Sequence, residues 1–185
     1  MQAASVLDVR ERNTFSIGLL IGLSSWTLIF ITLVWGYVVF RLRSSQWMGG
    51  FITSQIIQLA IFNTVVLLAS SWALSWAFKQ SSRRPRLLVW TSFSFGCVFL
   101  MGQVSLWQLS LANGLRWTDS IAGSFFYLLT GFHALHIVGA LVAVLLLCVK
   151  FPKWQNSMIA TGIKRFWDFL LVVWLVMFLL IFIVQ

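Results

Sequence analysis

The apolar segment 121–149 reads IAGSFFYLLTGFHALHIVGALVAVLLLCV and contains no Asp, Glu, Lys or Arg. An α-helix rises about 1.5 Å per residue and the hydrocarbon layer of a bilayer is about 30 Å thick, so about 20 apolar residues suffice to cross it. We therefore predict a transmembrane helix over 120–149.

Four further long apolar stretches flank this one, and 60% of the chain is hydrophobic while only 9% is charged. A transmembrane β-barrel would instead show alternating segments of about ten residues, a pattern that does not occur here. We predict an all-α membrane protein in which a tail, 1–14, precedes a single five-transmembrane-helix bundle, 15–185. The predicted helices span about 15–40, 50–78, 87–112, 120–149 and 166–184.

The positions of the 13 Lys and Arg residues predict the orientation of the bundle. They fall between the apolar stretches, ten on the side of the N-terminus and three on the other side. Because cytoplasmic loops carry the excess of Lys and Arg, we expect a cytoplasmic N-terminus and a C-terminus outside. Pro85 and Pro152 are expected in cytoplasmic loops, where they would interrupt no helix. The net charge of +9 does not predict a nucleic-acid partner, since the basic residues form no patch on a polar surface.

The acidic residues argue against a stand-alone proton pump or ion-coupled transporter. The four acids, Asp8, Glu11, Asp119 and Asp168, are all expected at or beyond a helix end. Such transporters use ionisable groups within the bilayer. The two cysteines are expected at different depths, so we predict packing roles rather than a disulfide. The N-terminal segment has no pattern typical of a removable signal peptide.

The chain's two histidines, His133 and His136, form an HxxH pattern in the fourth predicted helix. A metal or haem site is one interpretation, but both side chains project from one helix, and zinc would need further ligands nearby. We favour polar contacts that fix the bundle, made by His133 and His136 together with Asn63 and Gln103. No motif predicts a catalytic residue. Possible lipid or partner contacts near the membrane surfaces are Tyr37, Arg41, Arg165 and Trp167.

Five stretches, taken in order, resemble subunit III of the haem–copper terminal oxidases, the cytochrome c oxidase subunit III family, in its short five-helix bacterial form. The strongest is similar to the family's aromatic run followed by TGxHxxHVxxG. The stretches are GYVVFRLR at 36–43, NTVVLLASS at 63–71, FGCVFLMGQVSLWQL at 95–109, FFYLLTGFHALHIVGA at 125–140 and FWDFLLVVWLVMF at 166–178.

The sequence departs from the family pattern at several polar positions. Trp26 follows Ser25 where the family usually has a membrane-embedded glutamate. Asp168 and Leu171 occupy the family's His and Asp positions, and the family's upstream glutamate falls at about Thr161. The family's residues at these places are associated with a lipid cleft and with support of proton uptake. The departures therefore weaken the expectation of a proton-related role for this chain.

The resemblance implies a non-catalytic accessory subunit of a respiratory haem–copper oxidase, a complex that reduces O2 to water. It implies that this chain binds no cofactor itself, that haem and copper lie in partner subunits, and that phospholipid binds between helices. The implied partners are subunit I above all, then subunit II and other subunits, and the implied location is a prokaryotic inner membrane, crossed several times. Both a cytochrome c oxidase and a quinol oxidase fit.

Three alternatives stay open at this point. The first is an accessory subunit of a nitric oxide reductase or of another respiratory complex. The second is a small membrane carrier, which would need a polar path through the bundle. The third is a membrane haem-b protein, which would show a haem absorption band in the isolated chain.

Overall fold

A computed structural model describes residues 2–44, 47–48, 50–79, 83–154 and 157–184, with side chains at Arg10 and from Asn13 onward. The side chains of Asp8 and Glu11 lie outside this set. Within these ranges the chain forms helices and turns, without a strand. The helices are α1 (Gln2–Arg43), α2 (Ser54–Ala77), α3 (Pro85–Ala112), α4 (Ile121–Trp154) and α5 (Met158–Phe178), and a π-helical turn (Leu179–Ile183) extends α5.

All five helices are long and apolar enough to span a membrane, which confirms the predicted fold class. Their bounds extend beyond the apolar stretches. The backbone of the expected tail continues α1, whose apolar span is Asn13–Arg43, and the last span is Met158–Ile183. A helix can continue into the headgroup region because membrane thickness limits only the length of its apolar part.

The two prolines lie inside helices, so the expectation that both occupy loops was wrong. Pro85 is the first residue of α3, where a missing backbone N–H leaves no helical hydrogen bond unmade. Pro152 lies in the last turn of α4, which ends at Trp154. A proline this close to the end of a helix affects few of its hydrogen bonds.

Four of the helices close into a ring. The most extensive contact joins α2 to α3, and α3 packs on α4, α4 on α5, and α5 back on α2. The remaining helix, α1, lies outside the ring and contacts α4 and α5. Half of the span of α2 is buried within the bundle, against 6% of the span of α1. We call α2 to α5 the four-helix ring.

The C-terminal end of α5 receives a hydrogen bond from α1. Here the backbone N–H of Val184 donates to the carbonyl of Leu179, five residues earlier, at 2.9 Å. The Tyr37 hydroxyl donates to the carbonyl of Leu180 at 3.2 Å. This bond connects the C-terminal half of α1 to the ring.

Candidate functional site

Polar side chains from all four helices of the ring meet at one level near its middle. The indole Nε1 of Trp174 in α5 donates to Thr64 Oγ1 in α2 at 3.0 Å. The same indole stacks on the imidazole of His133 in α4, with ring centroids 5.6 Å apart. Trp174 therefore connects α2 to α4 across the interior of the ring.

Asn63 and Gln103 extend this level to α3. The Asn63 side chain lies directly on Gly102, where a Cβ atom would lie 2.9 Å from Asn63 Cγ and closer still to its Oδ1. Gln103 is the next residue along α3, and its side chain is fully buried. We call Asn63, Thr64, Gln103, His133 and Trp174 the polar tier.

Three members of the polar tier, Asn63, Gln103 and His133, form no direct hydrogen bond to another helix within the described ranges. No hydrogen-bond partner within the described ranges reaches the side-chain nitrogen and oxygen atoms of Asn63, Gln103 or His133. His133 is surrounded instead by aromatic rings, with Phe99 and Phe30 at centroid distances of 6.1 and 6.3 Å. The contacts that the sequence predicts for these side chains therefore remain a prediction, and the structure shows these polar groups buried within the ring.

His136 differs from His133 in both surroundings and bonding. Its Nδ1 lies 2.6 Å from the carbonyl oxygen of Phe132 in its own helix, and since a carbonyl can only accept, Nδ1 carries the proton. Its ring packs edge-on against Trp26 of α1 at a centroid distance of 4.4 Å. The expected bond from His136 to a neighbouring helix is replaced by this aromatic contact.

Hydroxyl groups form the hydrogen bonds that join helices. Ser70 donates to the carbonyl of Ser92, linking α2 to α3 at 2.8 Å. Trp107 Nε1 donates to Thr130 Oγ1, linking α3 to α4 at 2.9 Å. The sequence shows serines and threonines in the predicted helices. Their hydrogen-bond partners lie on other helices, far away in sequence, so the pairs could not be assigned from the sequence.

Asp168 lies well inside α5, ten residues after Met158 and so about 15 Å along the helix. It forms an ion pair with Lys164 at 2.6 Å and accepts a hydrogen bond from Ser71 of α2 at 2.5 Å. The expectation that every acid lies at or beyond a helix end was therefore wrong for Asp168. The side chains of Lys164 and Asp168 are 28% and 36% exposed, so the pair reaches the outer surface beside α2.

The four residues proposed as lipid or partner contacts divide into two pairs. Tyr37 and Trp167 are each only 1% exposed, so they face the interior of this chain rather than its surroundings. Arg165 is exposed and Arg41 is half-buried. Of these four residues, only the two arginines are therefore accessible to a lipid headgroup or to a partner subunit.

An apolar groove lies at the contact between α1 and α5 and forms a cavity of about 330 Å³. A second cavity, of about 250 Å³, lies nearer the N-terminal end of α1 and includes Trp26 and Phe166. Thr27 in the groove bonds to the carbonyl of Leu23 in its own helix, so its hydroxyl is satisfied there. The side chains lining the groove are Thr27, Phe30, Ile31, Val34, Trp35, Val38, Phe169, Val172, Val173, Val176 and Met177.

The residues with metal-binding chemistry are dispersed in the fold. Across the side chains that the structure places, no three His, Cys, Asp or Glu residues come together. Cys97 and Cys148 are free thiols. The arrangement consists of a buried polar tier, a partly exposed ion pair and an apolar groove.

Comparison with known proteins gives a consistent result over the whole chain. The family model described as cytochrome c oxidase subunit III matches residues 6–185. The cytochrome c oxidase subunit 3 of Thermostichus vulcanus is 30% identical over 98% of this chain and 93% of its own length. The probable cytochrome c oxidase subunits 3 of Mycobacterium bovis and Nocardia farcinica are both 29% identical, over 97% of this chain and 93% of their own lengths.

Proposed function

The chain belongs to the cytochrome c oxidase subunit III family, and from this premise we propose that it is the non-catalytic accessory subunit of a respiratory haem–copper oxidase. The complex would reduce O2 to water, with haem and copper held in its partner subunits. The observation that carries this proposal is the family match over 6–185, which includes the apolar spans of all five helices in order.

We propose that subunit I is the main partner and that it covers the Lys164–Asp168 ion pair, with subunit II and others in the same complex. An ion pair exposed to hydrocarbon within a membrane span is costly, because lipid chains offer it no hydrogen bonds. A neighbouring protein can supply polar partners. The partly exposed carboxylate of Asp168 and ammonium of Lys164 support a protein contact beside α2 and α5.

We propose that the groove between α1 and α5 holds a phospholipid acyl chain. Its lining is apolar apart from the Thr27 hydroxyl, which is already bonded within α1. A cavity of about 330 Å³ is the size of a small-molecule pocket and suits part of a single hydrocarbon chain. Arg165, exposed near the inner end of α5, is available to a phosphate headgroup.

We propose that the N-terminus lies in the cytoplasm of a prokaryotic cell and that the helices span its inner membrane. This orientation is supported by the ten-to-three distribution of Lys and Arg between the two sides. Single cysteines at Arg83 and at Thr118, in a background with Cys97 and Cys148 replaced by serine, would test it. An impermeant thiol reagent added to intact cells should label Thr118→Cys and spare Arg83→Cys, and the reverse pattern would contradict the orientation.

The function is tested by purifying the full chain, carrying an affinity tag, after mild solubilisation of native membranes. We expect haem absorption and O2 consumption with reduced cytochrome c or with quinol in the same preparation. A stable assembly that lacks haem proteins would overturn the proposal. A preparation that reduces nitric oxide would instead assign the chain to that alternative complex.

The contact with subunit I is tested with Asp168→Asn, using Asp119→Asn as the matched control. Asp119 is exposed and bonds to the adjacent Thr118, outside the helices. We expect Asp168→Asn to lower the amount of haem recovered with the tagged chain, and Asp119→Asn to leave it unchanged. Equal recovery from both variants, at equal levels of the chain in the membrane, would contradict the proposed contact.

A further inference from the structure

The polar tier contains six polar atoms whose hydrogen-bonding needs are not met by the part of the chain that the structure describes. They are the amide nitrogens and oxygens of Asn63 and Gln103 and both ring nitrogens of His133. The three residues are at most 1% exposed. Buried polar groups in folded proteins are almost always hydrogen-bonded, either to protein or to ordered water. Surrounding lipid cannot supply these bonds.

The three side chains are linked to one another through neighbouring residues. Asn63 is adjacent in sequence to Thr64, which is bonded to the indole that stacks on His133. Asn63 also lies on Gly102, the neighbour of Gln103. The tier thus has one satisfied pair, Thr64 and Trp174, and beside it three side chains from three different helices with free donors and acceptors.

The chemistry of these groups indicates the ligand. Each side-chain amide offers N–H donors and a carbonyl acceptor, and a neutral imidazole offers one donor and one acceptor. The matching ligand is therefore small, uncharged, and able both to donate and to accept hydrogen bonds. The tier contains no carboxylate for a cation and no Lys or Arg for an anion. Asp168 lies six residues before Trp174 in α5 and is already bonded to Lys164 and Ser71.

We propose that the polar tier is a buried hydration site, in which one or more water molecules bridge Asn63, Gln103 and His133 at the centre of the four-helix ring. Buried waters in proteins typically make about three hydrogen bonds to polar groups that would otherwise lack partners. Such a site joins α2, α3 and α4 through the ligand at a level where Asn63, Gln103 and His133 form no direct hydrogen bonds within the described ranges. The site is independent of which partner subunit the chain binds.

The direct test is a cryo-electron microscopy map of the purified native complex, at a resolution that shows ordered water. We expect density within about 3 Å of polar atoms from at least two of the three residues. Direct hydrogen bonds among Asn63, Gln103 and His133, or contact between them without intervening density, would overturn the proposal.

Thermal unfolding of the complex gives a second test, through the near-isosteric variants Asn63→Leu and Gln103→Met and their combination. Each single variant leaves the shared water with fewer partners, so we expect a Tm loss of roughly 3 to 10 °C. The Tm loss of the double variant should be clearly smaller than the sum of the two single losses. A water that has already lost one partner contributes less to stability, so losing the second partner costs less. Strictly additive losses, or a rise in Tm for each single variant, would contradict a shared site.

Thr130→Val is the matched control for this cycle. Thr130 is also fully buried in the ring, but it has a direct partner in Trp107. The Tm loss caused by Thr130→Val should add to the loss caused by Asn63→Leu when the two are combined. A departure from additivity as large as the one between Asn63→Leu and Gln103→Met would contradict a distinct site. If a variant does not assemble, the map of the unmodified complex still decides.

Discussion

The four-helix ring and α1 differ in what they contact, although both are made of long apolar helices. In the ring, indole and hydroxyl groups form hydrogen bonds from helix to helix, as Trp174 does with Thr64 and Trp107 with Thr130. α1 instead meets the ring through aromatic edges such as Trp26 on His136, and through the hydroxyl of Tyr37. Side-chain hydrogen bonds thus connect the helices of the ring to one another, while most of the α1 surface is not covered by this chain.

The glycines show the same contrast. A Cβ at Gly96 would lie 2.6 Å from Leu141 of α4 and 2.8 Å from Trp167 of α5, so three helices meet closely there. Around Gly18 and Gly22 of α1 nothing described lies within 4 Å of an added Cβ. Close packing therefore joins three ring helices at Gly96, whereas α1 packs closely at other points, such as Phe15 on Gly162 of α5, and leaves Gly18 and Gly22 open.

The largest expected difference comes from a pair of tryptophans. Trp174→Ala should cost about 3 to 5 kcal/mol of stability, because it removes a fully buried ring and its bond to Thr64. Trp35→Ala, in α1, should change little, since Trp35 is 69% exposed. Thermal unfolding of the solubilised protein measures both. Equal losses would break the distinction between ring and α1.

A smaller difference is expected from a pair of glycines. Gly96→Val should cost about 2 kcal/mol or more, because its side chain would overlap Leu141 and Trp167. Gly22→Val should leave the stability of the isolated chain unchanged, since space is open around it. The yield of folded chain in mild detergent measures both. A folded Gly96→Val at normal yield would show that the ring packs more loosely than described.

A pair of serines gives a difference of about 1 kcal/mol. Ser71→Ala removes the bond from α2 to Asp168, and bonds to charged groups are stronger than average. Ser25→Ala removes only a bond to the carbonyl of Ile21 in the same helix, on the exposed side of α1. Unfolding midpoints should separate the two variants. If Ser25→Ala were the more harmful, α1 would contribute more to stability than its contacts indicate.

The smallest expected effect comes from a substitution that loosens α1 alone. Tyr37→Phe removes the hydroxyl bond to Leu180 and should cost about 0.5 to 1 kcal/mol. Amide hydrogen exchange should rise in the C-terminal half of α1, and the exchange of α2 and α3 should stay as it was. A rise of equal size throughout the ring would mean that α1 and the ring unfold together.

The number of helices could be predicted from the sequence because length and apolarity alone decide whether a helix spans a membrane. The family resemblance rested on five stretches in order and was confirmed by the match over 6–185. Helix ends were harder to predict, since α4 continues through Pro152 to Trp154 in a region where apolarity no longer limits it.

The contacts within the bundle could not be predicted in the same way. A helix that is apolar on all sides does not indicate which side faces its neighbours, so the sequence does not separate the ring from α1. His133 and His136 are three residues apart, yet one points into the ring and the other packs on Trp26 of α1. The sequence predicts a last helix that begins at about 166, which places Asp168 at its end, whereas α5 begins at Met158 and Asp168 lies well inside it, bonded to Ser71 of α2.

The π-helical turn at the C-terminal end of α5 makes the length of this helix adjustable. Such a turn holds one residue more than an α-helical turn, so it absorbs an insertion without shifting Trp174 and the residues before it. Deleting one residue from Leu179–Ile183 would restore ordinary helical spacing and leave the part of α5 before the turn in register. The carbonyl of Leu180 lies within the turn, so a single-residue indel there would alter its bond to Tyr37 without moving the bond between Trp174 and Thr64.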